Sequence, residues 1–259
     1  MLFTVYEVTQ ERVYPINPYF KVMHHHKEVQ LIYVNKGSID IKTLDTTIHL
    51  NQGEGIFLNE DNVHFINPLE NSQHYTLLFN ASETITNVLL DKIHVPYYFL
   101  SPTMLVNLLS LIQLKKDTYY ELEGILLLTR IFIDLSKTVE NIPVESHILE
   151  DRIRIFLSYI EQHYSEDITL EDLASSAHLS KSECLRCFKS ALTTTPYQYL
   201  LEYRLSIASE LLLNSDDTIT QISQKVGFNQ VSHFGKLFKE KTQMTPKAYR
   251  NYYRKKDIS

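Results

Sequence analysis

Two stretches near the carboxyl end of the chain repeat one pattern and decide the fold. Residues 168–200 read ITLEDLASSAHLSKSECLRCFKSALTTTPYQYL, and residues 219–250 read ITQISQKVGFNQVSHFGKLFKEKTQMTPKAYR. Each has a short helical segment, a tight turn, a second helical segment that ends in Phe-Lys, and a Thr-Pro-x-x-Tyr motif. A short helix, a brief turn and a second helix form the helix-turn-helix arrangement, whose second helix enters the major groove of DNA. The repeat therefore predicts two such motifs, at about residues 169–191 and 218–242.

Helix starts are marked along this whole region. A capping box is a hydroxyl residue followed three positions later by a carboxylate or an amide, and Pro favours the first helical position. Capping boxes are predicted at Thr169–Asp172, Ser180–Glu183 and Thr218–Gln221, and Thr-Pro starts at Thr195 and Thr245. Together with the apolar periodicity from Ile148 onward, they predict an all-α, seven-helix DNA-binding domain over residues 148–259.

These residues resemble the AraC/XylS family of bacterial transcription regulators. The motif that carries the resemblance runs from about Ile148 to Arg254, and its second copy contains Ile222, Val226-Gly227-Phe228, Phe234, Phe238-Lys239, Thr245-Pro246 and Tyr249-Arg250. The resemblance implies a sequence-specific DNA-binding regulator, more often an activator than a repressor, and an activator would also contact RNA polymerase. Thr193 and Gln243 stand where the family usually has Gly, which leaves the geometry of both turns open.

The outward faces of the second helices are the predicted DNA contacts, because Phe188, Phe234 and Phe238 are expected to point inward. Side chains of these helices that reach base edges would read sequence, and nearby Lys and Arg would neutralise phosphates. The base-reading candidates are Ser182, Leu185, Arg186, Ser232, His233 and Lys236, and the phosphate candidates are Lys189, Lys239, Lys241, Lys247 and Arg250.

The first part of the chain is predicted to hold short strands up to about residue 82 and helices over about residues 102–139. Runs such as VQLIYV (Val29–Val34), separated by Gly, Asn and Asp turns, are typical of a β-sandwich or a small barrel. Beside the C-terminal half, the resemblance makes residues 1–139 a cupin-like β-barrel sensor with flanking helices that form a homodimer, joined by a linker at 140–147. The predicted fold class is thus two-domain α+β.

Three histidines, His24 to His26, precede the VQLIYV strand, and alternate residues of a strand share a face. His24 and His26 therefore converge, while His25 points away. The resemblance places His64 with them, and Gln30 where metal cupins carry a Glu. The preferred interpretation is an organic-effector pocket with no cofactor, formed by His24, His26, Gln30, His64, Tyr6, Tyr14, Phe20 and Tyr33. A divalent metal on the three histidines is the less favoured alternative, because imidazoles suit Zn, Cu, Fe and Ni.

Composition constrains the remaining possibilities. The chain of 259 residues has a net charge of −6, but Lys225–Ser259 holds nine basic and two acidic residues, or +7, which favours a polyanionic partner. The chain has two cysteines, Cys184 and Cys187, which do not make a disulfide framework, and this favours a reducing compartment. We interpret both as small buried apolar residues. No signal peptide or membrane span is apparent, so a cytoplasmic bacterial protein without catalytic residues is expected. The alternatives are a metal-dependent cupin enzyme and an effector-independent regulator that is controlled by a protein partner.

Overall fold

The computed structural model describes residues 3–12, 22–69, 72–81, 93, 95–114, 119–139 and 148–256. The chain divides into two compact units: the first contains the strands and helices up to Val139, and the second contains residues 22–24 and the helices that begin at Ile148. This division confirms the predicted two-domain α+β arrangement. The predicted linker at 140–147 lies outside the described residues.

Eight strands of the first unit form two antiparallel sheets. The larger sheet has the order β1-β7-β2-β5-β8 and the smaller one β4-β3-β6. The strands are β1 (Phe3–Arg12), β2 (Val29–Lys36), β3 (Ser38–Thr43), β4 (Thr47–Asn51), β5 (Gly55–Leu58), β6 (His64–Pro68), β7 (Gln73–Ala81) and β8 (Tyr97–Phe99). The described strands therefore do not close into the predicted barrel: hydrogen bonds pair strands within each sheet, and side chains between the sheets hold the sandwich together.

Alternation along β2 divides its side chains between two cores. Ile32 and Val34 pack with β3, β4 and β5 residues in the interior between the two sheets. Val29 and Leu31 point to the other face, where they pack with aliphatic residues of the helices. Because a strand has a side-chain period of two, the parity of a residue number in β2 tells which core the side chain enters.

Two helices cover the outer face of the larger sheet. Helix α1 (Pro102–Ile112) begins at Pro102, as predicted, and Ser101 caps it. Helix α2 (Tyr120–Val139) buries Leu128, Phe132 and other residues of one face. Its opposite face carries a stripe of aliphatic side chains, Leu122, Leu126 and Ile133, that are 63%, 62% and 36% exposed.

The described part of the second unit contains seven helices. They are α3 (Ile148–His163), α4 (Leu170–Ser176), α5 (Lys181–Leu192), α6 (Pro196–Asn214), α7 (Ile219–Lys225), α8 (Val231–Thr242) and α9 (Pro246–Lys256). Helices α4 and α5 form the first helix-turn-helix, and α7 and α8 form the second. The ring centroids of Phe188 and Tyr199 lie 5.9 Å apart, and those of Phe238 and Tyr249 lie 5.3 Å apart, so the two copies repeat the same edge-to-face aromatic pair.

The helix starts follow the capping signals. Thr169, Thr195 and Thr218 each accept a hydrogen bond from the backbone N–H three residues on, and the side chain at that position bonds back to the cap. Ser180 caps α5 through its hydroxyl, but the Glu183 carboxylate accepts from that hydroxyl instead of from the Ser180 backbone. These bonds satisfy amide donors that a helix leaves without an internal partner.

Thr193 and Gln243 end the two second helices in the left-handed conformation, with φ of 55° and 60°. The turns that Gly normally makes in this motif are therefore kept. A non-Gly residue in this conformation costs about 1–2 kcal/mol relative to its preferred backbone.

An arginine at matching positions of the two copies donates hydrogen bonds to carbonyls near the end of an earlier helix. Nε of Arg204 donates to the Tyr164 carbonyl at 2.6 Å, just after α3 ends, and a terminal amine of the guanidinium donates to the Glu166 carbonyl. Arg254, fifty positions later, makes the same bonds to the carbonyls of Leu213 and Ser215 at the end of α6. Each guanidinium donates to carbonyls at or just past a helix end, where donors within the helix run out.

Candidate functional site

The outward face of α8 carries the predicted base-reading residues of the second motif. Phe234 and Phe238 are fully buried, which fixes the rotation of the helix about its axis. Ser232, His233 and Lys236 are exposed on the opposite side. Among the residues that the structure describes, Lys236 forms only a long ion pair, with Glu240 at 3.9 Å, so its amine remains available to an anion.

Helix α5 has the same division of faces. Cys184, Cys187 and Phe188 are buried, and the four predicted DNA-contact residues are exposed: Ser182, Leu185, Arg186 and Lys189. Burial raises the pKa of the Cys184 thiol to about 11. A neutral, buried thiol is a poor nucleophile and a poor metal ligand, so the Cys-x-x-Cys pair belongs to the core.

Leu185 has a second environment. It lines an apolar cavity of about 270 Å³, together with residues of α3, α4 and the start of α6 that include Ile160, Leu173 and Leu200. The side chain is 42% exposed. An aliphatic residue at this position offers a DNA base only an apolar contact, such as the thymine methyl group.

The predicted phosphate contacts fall into two groups. Lys241 donates to the Glu202 carboxylate at 2.6 Å, and the guanidinium of Arg250 donates to the carbonyls of Leu212 and Asp217. These two cations are thus bound within the protein. By contrast, three exposed lysines make no ion pair within the described ranges: Lys189, Lys239 and Lys247.

The predicted histidines fall in both units: His26 and His64 belong to the first, and His24 belongs to the second. The rings of His26 and His64 meet edge to face at 5.3 Å between centroids. His25 is not part of this pair, because its Nδ1 lies 3.2 Å from the Asp61 carboxylate.

Other polar residues also face the interior between the sheets. Gln30 lies two residues before Ile32 in β2, so its side chain enters the same interior. Gln30 is 4% exposed, and its Oε1 has no hydrogen-bond partner among the described residues. His74 and Thr76 pair in register with Val34 and Ile32, so they share that face, and they were not predicted. The signal was available in HYTLLF (His74–Phe79), where polar residues alternate with apolar ones, but it reads equally as a strand with a solvent face.

Tyr33, another predicted pocket residue, does not face this interior. Tyr33 has the opposite parity and packs in the core beneath the helices, where its register partner is Tyr75. Tyr6 lies in β1, whose side chains are not described, and Tyr14 and Phe20 lie outside the described residues. Within the ranges described above, no helix is both long and apolar enough to cross a bilayer.

Comparison with known proteins matches both units. Residues 7–116 fit the AraC-like ligand binding domain, and residues 173–252 fit a helix-turn-helix domain. The chain is 30% identical to YdeC of Bacillus subtilis, an uncharacterized HTH-type transcriptional regulator, over 91% of this chain and 87% of that protein. It is also 32% identical to the HTH-type transcriptional activator RhaS of Citrobacter koseri, over 38% of this chain and 36% of that one.

Among solved structures, ToxT from Vibrio cholerae superposes with a TM-score of 0.54 at 12% identity, covering 96% of this chain and 97% of that chain. This likeness extends the shared fold over both units. The near full-length match to YdeC and the two matched domains establish the family. The chain belongs to the AraC/XylS family of transcriptional regulators.

Proposed function

We propose that this protein binds specific double-stranded DNA sites through the exposed faces of α5 and α8, and so regulates transcription. The observation that carries the proposal is that all six base-reading candidates are exposed on the second helices while the aromatic residues behind them are buried. The second helix of the second motif, α8, lies in the basic stretch Lys225–Ser259 with a net charge of +7, and contacts to the phosphate backbone supply much of the affinity of such proteins.

The two motifs offer different groups to DNA and are expected to contribute unequally to the binding affinity. In α8, Ser232, His233 and Lys236 present hydrogen-bonding groups to base edges. In α5, Arg186 is the side chain suited to a bidentate contact with guanine, and Leu185 adds an apolar contact. The phosphate contacts are Lys189, Lys239 and Lys247, whose charges are not used inside the described protein. We therefore expect the second motif to carry most of the affinity.

The first unit is proposed to sense a small molecule in the interior between its two sheets. Gln30, His64, His74 and Thr76 give this buried interior hydrogen-bonding groups, which an effector would use for orientation. By analogy with RhaS, which is described as an activator, we propose activation, with RNA polymerase as the second macromolecular partner.

Dimerisation is proposed through α2. Leu122, Leu126 and Ile133 form an exposed aliphatic stripe along one side of the helix, and a second copy of the same helix would cover it in a two-fold arrangement. Leu126→Glu is expected to give a monomer in sedimentation velocity, whereas Ile155→Glu, on the exposed face of α3, leaves the mass unchanged. A monomeric wild-type protein at micromolar concentration contradicts this part of the proposal.

The decisive test is genome-wide mapping of bound DNA in cells that carry the wild-type protein, Lys236→Ala or Lys241→Ala. We expect discrete sites for the wild type, loss or redistribution of them for Lys236→Ala, and little change for Lys241→Ala, because Lys241 already bonds Glu202. The absence of discrete wild-type sites under every growth condition tried contradicts sequence-specific binding.

A further inference from the structure

Arg204 lies where the two helix-turn-helix motifs meet. It is a residue of α6 and is only 7% exposed. Its guanidinium donates to the carbonyls of Tyr164 and Glu166, both at 2.6 Å, in the turn between α3 and α4 that leads into the first motif. A planar guanidinium offers several donors in a fixed fork and can hold two acceptors at once, so α6 and this turn are fixed to each other.

The same guanidinium also meets the turn of the second motif, between α7 and α8. A Cβ added to Gly227 would lie 3.0 Å from the guanidinium carbon, and 2.8 and 2.9 Å from the carbonyl oxygens of Tyr164 and Ser165. The backbone of this turn therefore packs against the turn that precedes the first motif, and a glycine permits the close approach. The guanidinium carbon also lies 5.9 Å from the centroid of the Phe228 ring, within the range of a cation–π contact.

Phe228 extends this contact to the second recognition helix. Its ring is buried, and its centroid lies 5.3 Å from that of Phe234 and 5.9 Å from that of His233, both in α8. Phe234 is one of the buried rings that fix the rotation of α8, and His233 is a predicted base-reading residue. Direct contacts therefore run from the turn before α4, through Arg204 and Phe228, to the helix that is proposed to read DNA.

The matching arginine of the second motif has a different third partner. Arg254 also donates to two carbonyls near a helix end, those of Leu213 and Ser215. Its remaining terminal amine pairs with the exposed carboxylate of Asp216 at 3.0 Å. The paired carbonyl bonds are thus common to both arginines, and the contact with the turn of the other motif is particular to Arg204.

We propose that Arg204 is a positioning residue that fixes α8 relative to α5 and thereby determines which spacing between two DNA half-sites the protein accepts. This role rests on the proposed binding of DNA by both helices. Helix α6 connects the motifs, and the Arg204 contacts remove the freedom that the non-helical residues 215–218 would leave. One inserted base pair moves a half-site by about 3.4 Å along and about 35° around the duplex, which a rigid pair of helices cannot follow.

The preference for half-site spacing tests this role. Full-length protein is titrated onto a duplex taken from the genome-wide mapping, with its half-sites located by footprinting, and onto the same duplex with one base pair inserted between them. The wild type is expected to bind the altered duplex on the order of tenfold more weakly, because the base contacts of one motif are lost. Arg204→Met is expected to lose less than about threefold, because its second motif can follow the displaced half-site.

General destabilisation has a different signature. It lowers the active fraction of the protein on every duplex, so the ratio of the two affinities stays at the wild-type value. Thr169→Ala is the control, because it removes the cap of α4 and leaves the contact between the motifs in place, and it should keep the wild-type ratio. Arg204→Lys keeps the charge but not the fork, so its ratio should lie between those of the wild type and Arg204→Met. If Arg204→Met does not fold, as circular dichroism would show, Arg204→Lys decides.

Pulsed electron paramagnetic resonance measures the same geometry without DNA. Spin labels on Lys189→Cys and Lys239→Cys, in protein whose Cys184 and Cys187 are replaced by Ala, report the distance between the ends of α5 and α8. We expect a narrow distance distribution in this background and a broader one when Arg204→Met is added.

The positioning role is overturned if the wild type tolerates the inserted base pair, if the folded Arg204 variants discriminate between the duplexes as strongly as the wild type, or if the two distance distributions are equally narrow. A distribution that broadens with Arg204→Met in a protein that binds no discrete DNA sites contradicts the regulator proposal alone. Discrete sites that the Arg204 variants bind with an unchanged ratio contradict the positioning role alone.

Discussion

Replacing Gly227 by Ala tests how closely the second helix-turn-helix approaches the rest of its unit. Gly227 lies in the turn after α7 with φ of +84°, a conformation that L side chains rarely adopt. A Cβ added there would lie 2.8 Å from the Tyr164 carbonyl oxygen, 2.9 Å from that of Ser165 and 3.0 Å from the guanidinium carbon of Arg204. The Tyr164 carbonyl is the one that Arg204 binds, so relieving the contact disturbs that bond as well.

The cost has two parts. The left-handed backbone costs an L residue about 1–2 kcal/mol. Overpacking against backbone atoms adds about 1–3 kcal/mol, because they move less readily than the end of a side chain. Ala also restricts the unfolded chain, which returns about 0.4–1 kcal/mol. The expected loss in the free energy of unfolding is therefore about 1–5 kcal/mol.

Gly235→Ala is the matched control in the same motif. Gly235 lies inside α8, and apart from its two neighbours and the backbone of the helix itself, no atom of the described residues lies within 4 Å of a Cβ built there. The same substitution should therefore stabilise the protein by about 0.5–1 kcal/mol through helix propensity. Urea unfolding of the full chain, followed by circular dichroism at 222 nm, measures both variants. Equal effects of the two substitutions, or a Gly227→Ala protein as stable as the wild type, would refute the reasoning.

Three further predictions concern other parts of the second unit. Lys239→Ala should reduce the slope of log affinity against log salt by about 0.9, as expected for one lost phosphate contact, whereas Lys241→Ala should leave the slope unchanged; fluorescence anisotropy over a salt series measures both. Thr193→Gly should raise the free energy of unfolding by up to about 1 kcal/mol, because relief of the left-handed backbone strain outweighs the greater entropy of the unfolded chain. Urea unfolding tests the sign of this change. Cys184 should resist a thiol reagent at pH 8 in the native protein, because its thiol is buried and neutral in the folded state, and it should react fully in guanidinium. Equal reaction rates in the two conditions would contradict the assignment of Cys184 to the core.

The helical half was predictable because its signals are local. A capping hydroxyl and its partner lie three residues apart, and the inward phenylalanines follow from helical spacing, so Thr169, Thr218 and Phe238 could be placed without knowledge of the tertiary fold. The predicted left-handed turns were uncertain at Thr193 and Gln243, because residue type alone disfavours the conformation that packing imposes there.

Features that depend on contacts distant in sequence were harder to predict. Whether strands close into a barrel depends on which edges pair, and the alternation within a strand carries no such information. Lys241 looked like a phosphate contact until the structure placed Glu202, 39 residues away, at 2.6 Å from its amine. Tyr33 was assigned to the pocket on residue type, but its parity in β2 directs it to the other core.

The sharing of α6 between the two motifs has a consequence for the DNA that the protein recognises. This helix of 19 residues follows the first motif and precedes the second. Arg204 binds the carbonyl of Tyr164 just after α3, and Arg254 binds the carbonyl of Leu213 near the end of α6. An α-helix advances about 1.5 Å and turns about 100° per residue. A single insertion in α6 would therefore shift and rotate α8 relative to α5 by about these amounts. If both recognition helices bind DNA as proposed, the backbone of α6 sets the spacing between the two halves of an operator, and new operators would evolve by changes of bases and side chains at that spacing.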